Sequence, residues 1–487
     1  MNSLSHAHWF SVVRRAGRDA VLIAMGYTLA VLLRFEDLTV GANFILPVSA
    51  GLLSFLVGSY IFGLFSLEAR GKNRFFAHAI LLTTAFVIAL LVMTLVGYVD
   101  FTSRIGRGVM ALGVTFTLPL LLLHHWMMFN KYRLAPRRIA ILAESPAELE
   151  EYERIKALQP RGVEIVGRIG VTNTIQGDDL LGRIRHARLL ISRHRIDVIA
   201  YSESRMKDST TRPHLRQLRY SGIPCLPLIS FCEQCLEYVP LHLVTGEWFI
   251  LSETSERGLY FRKLKRAFDI VTSLGLLLLL SPPLLFGIAL VKFFSPEGPV
   301  LFRQERVGRF GKKFLIYKLR SMRTDAEKDG PQWSSASGDS RVFPGGSLLR
   351  RFRIDEIPQL INILRGDMSF VGPRPEQPAF VEKLAKELPY YEERHMIPPG
   401  LTGWAQVCYP YGSTVEDARC KLEYDLYYLK HAGVIFDLLI LLDTVRVVLV
   451  GGLKKGARRQ RYTAEITPTQ PRSGDPPTVS IGVTKAA

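Results

Sequence analysis

Residues 262–298 read RKLKRAFDIVTSLGLLLLLSPPLLFGIALVKFFSPEG. From Ala267 to Phe294 the run is long and apolar enough to cross a bilayer, yet Ser281, Pro282 and Pro283 break it at the midpoint. Prolines remove backbone donors where hydrocarbon offers no replacement. Both flanks are basic: Arg262, Lys263, Lys265 and Arg266 precede the break, and Lys292, Arg303, Arg306 and Arg309 follow it. A spanning helix would carry one of these clusters across the membrane, against the cytoplasmic preference of cationic residues. The stretch therefore predicts a re-entrant helix over 264–294, turning at Ser281 and Pro282, rather than a kinked fifth crossing.

Upstream, four apolar runs stand out at 20–35, 44–65, 76–99 and 108–129. Three exceed the ~20 residues a bilayer requires, and the first is marginal without its flanks. More than one such run, and no small-residue cleavage site, argues against a cleaved signal peptide. Arg14, Arg15, Arg18, Arg70, Lys72, Arg74, Lys131, Arg133, Arg137 and Arg138 lie on one side of the runs, against Arg34, Arg104 and Arg107 on the other. That asymmetry predicts a four-helix transmembrane bundle over 1–135, with the N-terminus and everything after residue 130 in the cytoplasm. His124 and His125 lie inside the fourth run, and no acidic residue stands within any of the four. They read as packing near a helix end rather than as a proton relay.

The whole chain has 487 residues, is 48% hydrophobic and carries a formal net charge of +18. The length leaves room for more than one domain. Given the apolar runs, an anionic membrane face accounts for the charge better than nucleic acid does, and no recognition helix for DNA is evident. From residue 136 the texture changes. RRIAILA (137–143) and IDVIAYS (196–202) read as buried strands, with helical stretches at 147–158 and 180–194. The alternation predicts a Rossmann-like α/β domain over 136–257. Its first turn, AESPAE, lacks the glycines that let backbone amides approach a pyrophosphate, so the domain reads as structural. Cys232 and Cys235 form a lone C-x-x-C, which reads as reduced thiols rather than a zinc site.

Downstream stand RQERVGRFGKKFLIYKLRSM (303–322), RRFRIDEIPQL (350–360), RGDMSFVGPRPE (365–376), IPPGLTGWAQV (397–407) and YDLYYLKHAGVIFDLLILLDTVRVVLV (424–450). In order and over 261–451, these motifs resemble the bacterial sugar transferases, the monotopic polyprenyl-phosphate hexose-1-phosphate transferases. The four leading runs and the α/β domain resemble the large-membrane branch that initiates exopolysaccharide and O-antigen synthesis. The resemblance implies a mostly helical monotopic catalytic domain over 258–455, at the cytoplasmic face of the bacterial inner membrane. It implies a UDP-hexose donor, undecaprenyl phosphate as acceptor, Mg²⁺ as cofactor and, at family level, a homodimer. It implies Asp355 as nucleophile, with Glu356 helping to hold the metal. Lys318 and Arg350 resemble phosphate contacts and Arg374 the family's nucleotide-side arginine, with Gln304, Arg306 and Arg320 as further candidates. One departure stands out: relatives often carry Thr and a basic residue where this chain has Phe343 and Pro344.

Elementary electrostatics supports the pair independently. Two carboxylates ~5 Å apart at an effective dielectric of ~20 repel by ~3 kcal/mol, about two pK units. Neighbouring arginines and a divalent ion reverse this and keep both ionised. Mg²⁺ favours one or two carboxylates plus substrate phosphates, which suits an adjacent pair. PQLINILRG (358–366) reads as a helix ended by Gly366, with the dyad at its positive N-terminus. The final segment, 424–450, reads as interfacial amphipathic helices, and 456–487 as a disordered tail. Two other readings remain at this stage: a membrane glycosyltransferase that releases UDP, and a non-catalytic scaffold of a polysaccharide assembly complex.

Overall fold

A computed structural model describes residues 8–35, 44–65, 75–99, 105–131, 137–160, 163–172, 177–251, 259–326, 341–409, 412 and 414–449. The expected tail 456–487 lies outside the described residues, as do Arg70, Lys72, Arg74, Arg104 and Arg133. The chain divides into two compact units, one of residues 137–228 and one combining the residues before 137 with 229–450.

Among the described residues of the larger unit, three helices are long and apolar enough to cross a membrane: Val13–Phe35, His78–Val99 and Arg107–Met128. Ile45–Ile61 has 17 residues, about 25 Å at 1.5 Å per residue and the lower edge of what a bilayer core needs. The short helix is thus the second, where the sequence pointed to the first. The first helix begins at His8, well upstream of its apolar run, whereas the second gives way to a turn over 62–65. Tyr27, Ala30, Phe55, Leu82, Phe86 and Leu121, drawn from these four helices, share one buried cluster.

The histidine pair does have an acidic partner. Asp19, 1% exposed, stands one residue before the first apolar run but inside the same helix. His125 Nε2 lies 3.0 Å from its carboxylate, and His78 Nε2 lies 2.9 Å from His125 Nδ1. His124 Nε2 is more distant, at 3.9 Å. Counting acids only within the apolar windows hid this three-helix network.

Helices Lys263–Leu279 and Ser281–Phe294 meet at a 62° bend. Pro282 and Pro283 fall in the first turn of the second arm, where a helix leaves its amides unbonded anyway. Ser281 Oγ donates to Leu278 O at 2.7 Å across the bend. The first arm is anchored by Arg266, which donates to the carbonyls of Ile363 and Leu364, and by Lys265, which bonds Asp437 and, at 3.1 Å, Val371 O. The second arm buries Val291 with Leu319, Phe343 and Leu349, and a Cβ at Gly287 would strike Leu319 and Ile354. Both arms therefore rest on one framework, built from 315–319 and 343–371. Their opposite surfaces leave Val271, Leu274, Leu278, Leu285 and Phe293 exposed, an apolar face suited to lipid.

Three short pieces build that framework: an antiparallel hairpin, Leu301–Val307 with Lys313–Leu319, helix Pro344–Arg351, and helix Gln359–Arg365. Segment 424–431 departs from expectation. Leu422 to Leu429 are all buried, so Val415–His431 is a core helix, and its charged Glu423 and Asp425 are spent internally. Segment 229–251 also belongs to this unit rather than to an α/β domain reaching 257. Trp404 Nε1 donates to Glu237 O, Val239 N to Glu423 O, and Lys430 pairs with Glu233 at 2.8 Å. Cys232 and Cys235 lie there on one helix, Leu228–Cys235, outside any disulfide.

The smaller unit holds a five-stranded parallel sheet: β1 Arg137–Leu142, β2 Val163–Gly170, β3 Leu180–Arg183, β4 Val198–Tyr201 and β5 Cys225–Pro227. The strand order is β3-β2-β1-β4-β5. The apolar Ile139–Leu142 and Val198–Ala200 are fully buried at its centre, as continuous apolar runs in parallel strands should be. Helix Pro146–Leu158 opens on a capping box in which Ser145 and Glu148 satisfy each other's backbone amides.

Candidate active site

The dyad lies in a 3₁₀ turn, Ile354–Glu356, one turn before helix Gln359–Arg365. The expected placement at that helix's own N-terminus is therefore displaced upstream. Pro358 has no amide to give, and it caps the helix instead of extending it. Gly366, at φ +94°, ends the helix as expected. Just before the turn, Arg353 adopts φ +58°, a left-handed conformation costing about 1–3 kcal/mol for a residue with a side chain. Helix Pro344–Arg351 thus stops, and the chain enters the short turn in which Asp355 is buried.

Asp355 is 8% exposed, and its Oδ1 has no hydrogen-bond partner among the described residues. Burial, then the charge of Glu356, pushes its carboxyl up to about 6, while Lys318, Arg353 and Arg350 pull the other way. Burial also works against ionised Glu356, but Lys318, Arg374 and Arg353 together outweigh it and hold that carboxyl below its usual range. Lys318 Nζ stands 3.6 Å from Glu356 Oε1, and Arg353 Nη1 stands 3.4 Å from the same oxygen. Burial lowers the Lys318 ammonium pKa, with Glu356 opposing and Arg374 and Arg306 adding to the shift. The two acids are therefore unequal. Glu356 is a fixed anion inside a cationic ring, and Asp355 is desolvated with one oxygen unspent.

Lys318, Arg350 and Arg374 all stand close enough to act on the charge of the dyad. Arg306 and Gln304 stand at its edge and are bonded to each other. Arg306 donates to Pro375 O at 3.1 Å and to Gln304 Oε1 at 2.5 Å. Arg320 turns elsewhere, holding the carbonyls of Ser295 and Gly298 in the turn that follows the bent pair. Phe343 is buried with Val291 and Leu349, and Pro344 opens a helix, so this loop is built for packing.

Sequence reasoning missed three supports. Asn362, fully buried, accepts from Tyr317 N at 3.0 Å and donates to Leu315 O at 2.7 Å. It binds the strand bearing Lys318 to the helix that follows the dyad. Its signal was available, as the one amide in an otherwise apolar LINIL. Arg353, quoted with its neighbours but given no role, partners Glu356. Arg394 is buried, lies 2.8 Å from Asp425 and donates to Arg374 O at 3.1 Å. With Arg306 on Pro375 O and Val307 N on Glu376 O, three consecutive carbonyls beneath Arg374 are held. No local pattern marks a pair 31 residues apart in sequence.

Residues 260–451 match the family described as bacterial sugar transferase. The chain is 45% identical over 188 residues to the UDP-N-acetylgalactosamine-undecaprenyl-phosphate N-acetylgalactosaminephosphotransferase of Aeromonas hydrophila, covering 39% of this chain and 44% of that protein. It is 44% identical over 186 residues to the UDP-glucose:undecaprenyl-phosphate glucose-1-phosphate transferase of Escherichia coli K12, covering 38% and 40%. It is 43% identical over 194 residues to the exopolysaccharide production protein PSS of Rhizobium leguminosarum bv. phaseoli, covering 39% of this chain and 96% of that one. The match spans less than half the length of the first two relatives. The chain belongs to the bacterial sugar transferase family.

Proposed function

We propose that this protein transfers a hexose-1-phosphate from a UDP-hexose to undecaprenyl phosphate, at the cytoplasmic face of a bacterial inner membrane. This would be the initiating step of exopolysaccharide or O-antigen synthesis. Family membership and the named activities of two relatives support the reaction class. The observation that carries the mechanism is Asp355 Oδ1, buried, unbonded to any described residue and set among cations.

In this mechanism the Asp355 carboxylate attacks the sugar-bearing phosphorus. The bond to the UMP oxygen breaks and UMP leaves with its electron pair, so that the phosphosugar is now on Asp355. A phosphate oxygen of undecaprenyl phosphate then attacks the same phosphorus and restores the carboxylate. Lys318, Arg350 and Arg374 offset charge on the phosphates, and Glu356 fixes Lys318. Two adjacent carboxylates, one with a free oxygen, fit Mg²⁺ as protein ligands, leaving its remaining positions to phosphate and water. When bound at Glu356 and Asp355, the ion would supply charge neutralisation for the diphosphate.

The bent pair acts in this reading as a re-entrant anchor, a view supported by both arms packing on one framework. The four apolar helices form a transmembrane bundle, and 137–228 forms a Rossmann-like domain. Single cysteines at Ser255 and Glu297 should both resist a membrane-impermeant thiol reagent applied from outside, and labelling of the second would mean a true crossing.

The decisive experiment supplies sugar-labelled UDP-hexose without lipid acceptor. The expected result is a burst of UMP and label retained on Asp355. Release of UDP would assign the chain to glycosyl transfer without phosphate, and no nucleotide release under any condition would favour a scaffold.

A further inference from the structure

The five-stranded unit segregates its charge. Helices Ala187–His194 and Thr211–Tyr220 share one face of the sheet, since Ala187, Leu190, Leu215 and Leu218 enter a common core with Leu142 and Ile199. Thr211–Tyr220 turns Leu215 and Leu218 inward and exposes Arg212, Arg216 and Arg219. Spaced by four and three residues, these arginines form a single row. A second row, Arg185, Arg188 and Arg195 with Arg193 beside it, is exposed on the neighbouring helix and its flanks. Arg188 Nη2 donates to Ser221 Oγ at 3.1 Å, so the rows abut. None of these seven arginines has a carboxylate partner among the described residues. Helix Pro146–Leu158, which the handedness of its crossover puts on the other face, instead exposes Glu150, with Glu153 half-buried and Lys156 paired with Asp179.

A merely solvated face mixes its signs, and this one does not. Two large apolar side chains sit among the arginines, Leu189 at 67% and Tyr220 at 84% exposure. Guanidinium groups pair with phosphodiesters through two parallel hydrogen bonds, and tyrosine favours the headgroup level of a bilayer. Chain connectivity keeps a membrane within reach. Five residues separate Lys131, the end of an apolar helix, from Arg137 at the start of β1. Extended, that link spans at most about 20 Å.

We propose that this arginine face docks on anionic lipid headgroups of the membrane that holds the rest of the chain. The occupant follows from the chemistry: dispersed phosphates for two rows of guanidinium groups, and an interfacial layer for Leu189 and Tyr220 between them. Such a surface would make the orientation of the unit depend on lipid charge, a property separate from phosphosugar transfer.

The test uses the full chain in nanodiscs of phosphatidylcholine, with or without about 30% phosphatidylglycerol. Amide exchange in 185–195 and 211–220 should be about tenfold slower in the anionic discs. The protection should vanish at about 0.5 M salt and in the triple variant Arg212→Glu, Arg216→Glu, Arg219→Glu. Unchanged exchange in β1 and β4 would verify that the variant folds, and the salt arm stands without it. Equal exchange in both discs would overturn the proposal. So would protection obtained from a soluble polyanion such as polyglutamate but not from phosphatidylglycerol, which would assign the face to a soluble acidic partner. Protection that follows the number of chains per disc instead of lipid charge would assign it to a second copy, and would equally overturn it.

Discussion

Two buried acidic turns, one in each unit, put the same functional group to opposite use. After β1, Glu148 is 1% exposed and fully engaged. It accepts from the amides of Glu144 and Ser145 at 2.9 Å each and from Arg205 Nε at 2.8 Å. Glu144 in turn accepts from Val171 and Thr172, so carboxylates close the C-terminal end of β1 and β2, where a nucleotide's phosphates would approach. Burial works against the Glu148 anion, but Arg205 and the two amides hold its carboxyl below the usual range. At 354–356 the balance reverses. Asp355 is buried beside another acid with an oxygen unspent, and its carboxyl rises to about 6. A carboxylate that has already given its lone pairs to the fold is a structural part, and one left short of partners is available to chemistry.

The largest expected effect tests that distinction directly. Asp355→Asn preserves shape and removes the attacking charge, so turnover should fall by about a thousandfold or more, with no labelled enzyme formed. Glu148→Gln, at the engaged site, should leave the rate per folded molecule within about twofold. Comparable losses in both variants, measured as UMP release, would erase the contrast.

Next in size is Asn362→Ala. The side chain touches neither acid but sets Lys318 against Glu356 through the edge of its strand. Its loss should cost about 10- to 100-fold in turnover, with the Mg²⁺ dependence shifted. The conservative change Asn362→Asp keeps an acceptor for Tyr317 N but loses the donor to Leu315 O, so it should retain only part of the activity. A stability loss with unchanged turnover per folded molecule would reduce Asn362 to a packing residue.

The sequence revealed the dyad because adjacent acids amid arginines violate the usual alternation of a solvated face. It revealed the bent pair because prolines inside an apolar run have few physical solutions. Asp19, Asn362 and the Arg394–Asp425 pair were harder to see for one shared reason. Each works by a contact between distant segments, and windows of local periodicity carry no such information. Segment 229–251 was misassigned on the same ground, since its partners, Trp404, Glu423 and Lys430, lie more than 150 residues downstream. The α/β texture of 137–202 was legible, yet where its unit stopped was not.

A smaller effect lies in the pH profile. With the Asp355 carboxyl near 6, the fraction ionised falls below that pH, so kcat/KM for UDP-hexose should decline about tenfold per unit on the acid side. An acid limb nearer 4 would mean that bound Mg²⁺ has returned the group to its ordinary range. Omitting the metal from a single-turnover measurement should then move the limb upward.

The smallest effect is on stability, and its sign differs between the two turns. A carboxyl whose folded pKa is raised disfavours the folded state once it ionises. The cost of Asp355 is absent below its unfolded value, grows as pH rises toward 6 and is complete above it. Asp355→Asn should therefore stabilise its region at pH 7.5 by about 1–3 kcal/mol, with the gain fading as pH falls toward 4. Glu148, whose carboxyl is lowered, contributes stability above its unfolded value and loses it as pH falls through the folded one. Glu148→Gln should accordingly destabilise 146–158 at pH 7.5 by about 2–4 kcal/mol, because Arg205 is left half-buried without its anion. Amide exchange resolves the two regions within one sample, so neither depends on a global melting temperature. Opposite signs at pH 7.5, converging toward acid, are the outcome this reading requires. If Asp355→Asn instead loosens 354–365, then its carboxylate has a partner in the resting protein, and the unspent oxygen cannot be what sets it apart from Glu148.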